Sequence, residues 1–380
     1  MRSSHTPPLA RLSLHAIAHR AQKGLGLLPA LSDAADEVRE IHPAEEQDVP
    51  AAFSLPGQLE RARGSCREST LAYEVEHLLT LRMRHAATLA MRFDEALLID
   101  GVVYANGARQ QHVYGHERLV PRIVRGPVLE DLSLPSSVVG NRYFGHFITD
   151  DCCAAYLARE LAPVYLTSTG EERSAHSRRY LDLFGLPHDE LRTARLRNVW
   201  LFQDHAMSAH KRERYRQLRA KVAELPGERS GHGVFFRRRG AGVPRGLQNE
   251  PELEERLERE GFEIIDVTTE DVDTIIRRSK GAKIVCGIEG SAPMHGLLAM
   301  AEGGALVMFM PPYRFSSCMK GHANAVGVHF GYLIGEGDRA RFTLSVDELM
   351  RTIELAWKHI ETKPRADSGG AVPPRAMLRR

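Results

Sequence analysis

Between Val234 and Met310, short apolar runs alternate with stretches of helical periodicity, and few folds accommodate that rhythm. Residues 234–236, 262–267, 282–286 and 305–310 are each too short for a helix and read as strands. Between them, Asn249 with Glu252 three positions on has the form of a capping box, opening a helix that Gly261 ends. Residues 271–280 place Val272, Ile275 and Ile276 on one helical face, and another helix is expected over 292–302. Strands joined by crossover helices pair in parallel, with helices on both faces of the sheet. The second half is therefore expected to be a Rossmann-like α/β domain.

The first half carries a weaker form of the same pattern. Short strands near residue 88 and beyond meet at Asp100-Gly101, a two-residue hairpin signal. Residues 138–225 then alternate: helix 147–161, strand 164–167, helix 174–184, strand 199–202 and a charged helix 211–225. This is βα alternation, preceded by a small β-rich entry to the first domain. Turn formers over 226–233 mark a linker. The expected organisation is an irregular extension over 1–75, a first domain over 76–228, a second over 229–362 and a tail over 363–380. A last helix, capped by Ser345 with Glu348, buries Val346, Leu349, Met350, Ile353, Trp357 and Ile360.

Charge balance removes whole classes of partner. Lys and Arg (51) nearly cancel Asp and Glu (49), so nothing global draws the chain to nucleic acid, and any anion site must be local. The five cysteines include no CxxC pair and no cysteine–histidine ligand spacing, which favours a reducing, cytoplasmic setting without structural zinc. Residues 1–30 hold no apolar core of signal-peptide length, and no run approaches the roughly 20 residues that span a bilayer. A peripheral membrane contact through residues 8–30 stays open as an alternative to a fully soluble chain. Oligomeric state is not legible.

Three segments carry chemistry. In a parallel sheet, ligands lie beyond the carboxyl ends of the strands, where the turn after Cys286 falls. Gly287, Gly290 and Ser291 allow close backbone approach there, and the amides opening the next helix would seat a phosphate; the bland reading is a turn whose glycines serve packing. Glu289 would repel phosphate and suits sugar or ribose hydroxyls. The second segment, Arg237-Arg238-Arg239 with Arg245 behind, follows the first strand of that sheet and suits a diphosphate, against a plain solvated charge run. The third opens the first clear helix: His146 and Asp150, four apart, share a face and form a general-base arrangement, against a decorated helix start. Asp151 reads as a capping acid. Asp271-Val272-Asp273 has the DxD form of metal-dependent sugar-nucleotide enzymes, but these acids open a regular helix and are explained as its cap; no metal or other cofactor is expected.

Asn141, His146-Phe147 and Asp150, then Arg237-Arg238-Arg239-Gly240 with Asn249-Glu250 and Leu253, then Gly287-Ile288-Glu289-Gly290-Ser291-Ala292, resemble glycosyltransferase family 61 in order and approximate spacing, over about residues 138–335. The resemblance implies a GT-B fold, two Rossmann-like domains facing a cleft, and inverting transfer from a nucleotide sugar to a hydroxyl of a glycan or similar acceptor, usually without an essential metal. It implies donor contacts from Arg237, Arg238, Arg239, Arg245, Asn249, Glu289, Gly290, Ser291 and Ala292. His146 and Asp150 would be catalytic, with Asn141 and Tyr143 on the acceptor side. Glu289 stands where the family often has His, Pro293 where Leu is common and His295 where Asn is common, so the donor is not specified. A nucleotide-sugar epimerase of the same architecture and a non-catalytic nucleotide or glycan binder are the alternatives.

Overall fold

The computed structural model describes residues 28–66, 69–114, 126–227, 232–238, 245–339 and 341–361, together with the backbone of 11–13 and 122–124. Arg239, the middle of the expected linker, most of residues 1–30 and the tail over 363–380 lie outside the described residues.

The first sheet is built from β1 (Glu37–His42), β2 (Thr88–Ile99), β3 (Val102–Ala105), β4 (Ala108–Gln111), β5 (Val128–Leu134) and β6 (Ala194–Gln203). The order is β4-β3-β2-β6-β5, with β1 also on β2. Asp100 (φ 48°) and Gly101 (φ 80°) are both left-handed, as a tight hairpin between β2 and β3 requires, and Asn106-Gly107 repeats the device before β4. Two-residue turns permit only antiparallel neighbours. The expected second Rossmann-like unit is therefore corrected: β1 to β4 and the β2–β6 pair are antiparallel, and only β6 on β5 is parallel. The strand read at 164–167 shrinks to Leu166–Thr167, paired with Glu190–Leu191 outside this sheet.

Helices α1 (Leu71–Leu79), α2, α3 (Ala175–Phe184) and α4 (Ala209–Ala223) belong to this half. Helix α2 starts at Phe144–His146, passes through a π-helix at Phe147–Cys152 and ends as Cys153–Ala158. With α3 it forms the crossover between the parallel strands β5 and β6.

The second half follows the sequence closely. Strands β7 (Gly233–Phe236), β8 (Glu263–Ile265), β9 (Ile284–Ile288), β10 (Ala305–Met310) and β11 (His329–Ile334) make an all-parallel sheet of order β8-β7-β9-β10-β11. Helices α5 (Glu250–Arg259) and α9 (Val346–Glu361) pack Leu253, Leu257, Leu349 and Ile353 on one face. Helices α6 (Val272–Ser279) and α7 (Pro293–Ala299) pack Ile275, Ile276, Leu297 and Leu298 on the other, and α8 (Cys318–Ala325) precedes β11. Asp271 accepts from the Thr274 amide and Ser345 from the Glu348 amide, as their capping roles require.

The cluster under α6 and α7 does not stop at the domain boundary. It continues through Phe147, Ile148, Tyr180, Phe184, Tyr215 and Leu218 of the first-half helices to Trp200 and Phe202 of β6. The order of layers is sheet, helices, helices, sheet, helices, and the core between the two sheets is shared by both halves. The segment expected as an irregular extension also joins the halves: β1 pairs with β2, Phe53 bridges Gly331 beside β11, and Arg61 forms a double hydrogen bond with Glu348 at 2.6 and 2.7 Å.

Candidate active site

In a sheet of order 2-1-3-4-5 the ligand crevice opens between the first and third strands, whose connections leave in opposite directions. Here those are β7 and β9, and the segments leaving their carboxyl ends are Arg237-Arg238 and Glu289 to Ala292. Glu289 is buried and its carboxylate takes the Nε–H groups of Arg245 at 2.7 Å and Arg314 at 3.0 Å. Arg238 lies over Gly290, whose φ of 146° and lack of a Cβ leave room for its guanidinium. Burial, and then the neighbouring Arg245, lower the Arg238 pKa to about 10. Three arginines thus surround Glu289, with Glu250 on the Arg238 amide at 2.6 Å, leaving an excess of positive charge at the switch point. Glu289, the residue that looked least compatible with an anion site, is the counter-ion that orders it.

The amides on either side of residues 290–292 are already engaged. Pro293 has no N–H, the Met294 amide bonds Ser291 O at 3.1 Å, the His295 amide bonds Ala292 O at 3.2 Å, and the Glu289 amide serves Phe309 O. Gly287 has the packing role: a Cβ there would stand 2.9 Å from the Pro293 ring and 3.1 Å from Phe236 O.

Across from this turn stands the first segment of α2. A Cβ on Gly145 would lie 3.3 Å from the Ser291 hydroxyl, so the two motifs meet, as neither could show alone. His146 Nδ1 lies 2.7 Å from Asp150 Oδ2, and Asp150 Oδ1 accepts from the fully buried Lys211 Nζ at 2.5 Å. Burial acts to raise the Asp150 pKa, but the Lys211 ammonium and the His146 hydrogen bond outweigh it and hold it far below the usual carboxylate range. The same pairing, with Asp204 added, keeps Lys211 charged against its own burial. The π-helix coincides with this pair; such bulges are rare and recur at functional sites. From the second half, His322 on α8 brings its ring to 6.3 Å from that of His146, and burial pushes its pKa down to about 3.

Lys211, Arg314 and His322 were missed in the sequence. For Lys211 there was a signal: α4 opens on His210-Lys211-Arg212 with no acid in its first turn, against the helix dipole, which a buried carboxylate explains. Arg314 follows the Pro311-Pro312 pair and His322 lies within the short helix α8, and neither has a pattern that marks it.

Other expected site residues are occupied elsewhere. Arg237 turns away from Arg238 into a double hydrogen bond with buried Glu254 (3.0 and 2.8 Å) and a 3.5 Å ion pair with Asp266. Asn249 neither caps α5 nor enters the crevice. Its amide bonds both Leu344 O (2.8 Å) and the Leu344 amide (3.2 Å), tying α5 to the strap before α9. Asn141 donates to His112 O at 2.8 Å and accepts from Arg173 at 3.1 Å, which fixes the turn before α2. Tyr143 stands at the start of α2 with its ring 6.0 Å from that of His146. Asp151, expected as a cap, instead accepts from the amide and hydroxyl of Ser137 at 2.9 and 2.7 Å. Asp273 of the DxD-like triplet pairs with Arg179 on α3. His295, unusual in sequence, is buried between the halves, bonded to Tyr180 OH at 2.9 Å and stacked on Phe144 at 4.6 Å.

No helix among the described residues is long and apolar enough to cross a membrane. No curated protein matches the chain. Residues 144–307, from the first turn of α2 to the middle of β10, match the model of a family described as Glycosyltransferase 61. That span holds both the His146–Asp150 pair and the turn at Glu289 that the fold brings against it, and over it the chain is similar to glycosyltransferase family 61.

Proposed function

We propose that the protein is an inverting glycosyltransferase that moves a sugar from a nucleoside-diphosphate sugar to a hydroxyl of a glycan or glycoconjugate. The observation that carries this reading is the contact of Gly145 with Ser291, which sets a general-base pair against an arginine cluster suited to a diphosphate. We read the halves as a GT-B arrangement in which the first sheet is largely antiparallel, working without a metal in the surroundings of the cytoplasm.

In this reading Asp150 does not act as the base, because Lys211 holds it ionised and starved of proton affinity. It fixes His146 with Nδ1 protonated and the Nε2 lone pair outward. Nε2 takes the proton of the acceptor hydroxyl as that oxygen attacks the anomeric carbon. The bond from that carbon to the diphosphate oxygen breaks, its electron pair leaves with the diphosphate, and Arg238, Arg245 and Arg314 take up the charge. Glu289 keeps Arg245 and Arg314 in place before the donor arrives.

The test is a panel of UDP-, GDP-, CMP- and dTDP-sugars, first by thermal shift and then by transfer to mixed glycan acceptors. Arg245→Ala and Arg314→Ala should each weaken donor binding at least tenfold, and His146→Ala should leave donor binding unchanged while transfer is lost. No stabilisation by any nucleotide sugar, or full transfer by His146→Ala, would refute the assignment.

A further inference from the structure

Between the π-helix and the carboxyl ends of β5 and β6 lies a cavity of about 130 Å³. A water occupies roughly 10–15 Å³ of such space, so there is room for a small ring-shaped ligand. The strands that open on it are the parallel pair of the first sheet, and carboxyl ends of parallel strands are where α/β folds place ligands. Gln110 of β4 and both Asp150 and Asp151 of the π-helix line it, with Val138 and Phe202 supplying apolar wall.

Two polar atoms of this wall have no hydrogen-bond partner among the described residues: Asp151 Oδ2, in a side chain only 1% exposed, and Gln110 Oε1. Unsatisfied buried polar atoms are uncommon enough to require an explanation. The charge of the cavity narrows what satisfies them. Asp150 is neutralised by Lys211, and Asp204, also in the wall, by Arg214 at 2.7 and 2.8 Å. Burial pushes Asp151 up to about 8, so it is a neutral acid at neutral pH. No net negative charge remains to hold a cation, whereas hydroxyl groups on an apolar ring meet every feature of the wall.

We propose that this cavity is the acceptor subsite, holding one neutral sugar ring whose hydroxyls bond Asp151 and Gln110 while its apolar face lies on Phe202. It deepens the transferase reading and rests on it for the word acceptor: Asp150, which positions His146, is shared by the cavity and the catalytic pair. Asp151 and Gln110 are recognition residues in this scheme and move no proton in the transfer.

The experiment uses the full chain and methyl glycosides of glucose, galactose, mannose, xylose and N-acetylglucosamine as probes, read by saturation-transfer NMR. At least one should bind the parent protein, lose at least tenfold in affinity in Gln110→Ala and Val138→Trp, and be retained in Arg245→Ala. The first substitution removes one bond without filling space, so the test survives if the second fails to fold. Binding of no methyl glycoside, or binding unchanged in both cavity variants, overturns the subsite. Transfer in folded Val138→Trp with an unaltered acceptor KM overturns it too, while leaving the transferase reading intact. Glycoside binding that both variants abolish, in a protein that binds no nucleotide diphosphate, upholds the sugar site and sinks the transferase reading instead.

Discussion

A carboxylate bonded to a buried ammonium is a poor proton acceptor, and in the proposed mechanism that separates the roles of His146 and Asp150. Removing the base should cost about 10²–10⁴-fold in kcat, so His146→Gln is expected to lower kcat within that range and leave the donor KM within twofold, measured by steady-state transfer. Lys211→Met should act through Asp150: with the ammonium gone, burial raises the Asp150 pKa, and the acidic limb of the kcat/KM profile should move to higher pH with kcat down at least tenfold. Stability has its own pH profile. Burial lowers the pKa of His112 to about 4 and of His295 and His322 to about 3, so below the ordinary histidine pKa near 6.5 the unfolded chain binds more protons and stability falls as pH falls. Asp151 has the opposite sign: raised to about 8, it is protonated when folded and ionised when unfolded, so stability falls as pH rises toward 8. Urea midpoints should therefore peak near pH 6.5, and Asp151→Asn should remove a loss of roughly 1 kcal/mol per pH unit above it.

At the scale of elements, two turns and one irregular helix hold the site. Gly140 lies against the Asp151 carboxyl and Gly290 against the Arg238 guanidinium with no room for a Cβ, while a Cβ on Gly145 would press on the Ser291 hydroxyl at 3.3 Å. Gly290→Ala combines a disfavoured φ with a collision against Arg238, so it should raise the donor KM at least tenfold while far-UV circular dichroism stays unchanged; an unaltered KM would detach Arg238 from donor binding. The π-helix was invisible beforehand because its apolar positions fit an ordinary helix equally well, and the register shift comes from packing. The β8-β7-β9-β10-β11 sheet was legible for the contrary reason: strands buried on both faces read as continuous apolar runs.

For the whole molecule, the shared core decides how the protein unfolds. Arg219 bonds Leu297 O and Met300 O at 2.9 and 2.6 Å, the Tyr215 hydroxyl donates to Met294, and Tyr180 reaches His295, so each half finishes the other's buried surface. The two tryptophans fall one on each side, Trp200 in β6 and Trp357 in α9. Fluorescence of Trp200→Phe and Trp357→Phe variants should report coincident denaturation midpoints once each is referred to its own stability by circular dichroism; separated transitions would show two independent domains.

The sequence by itself determined the parallel sheet of the second half, the hairpin at Asp100-Gly101 and the caps at Asp271 and Ser345, and it proposed three chemical segments. Each of these follows from local periodicity or local hydrogen bonding. Tertiary structure alone decided which arginines meet: Arg237 and Arg238 are neighbours in the chain, yet one turns to Glu254 and the other to Gly290, because successive residues leaving a strand point to opposite sides. It also decided that Lys211, 61 residues from Asp150, sets the charge of that carboxylate. Spacing along a chain can propose a pair, but the burial that fixes its protonation comes only from residues brought in over long range.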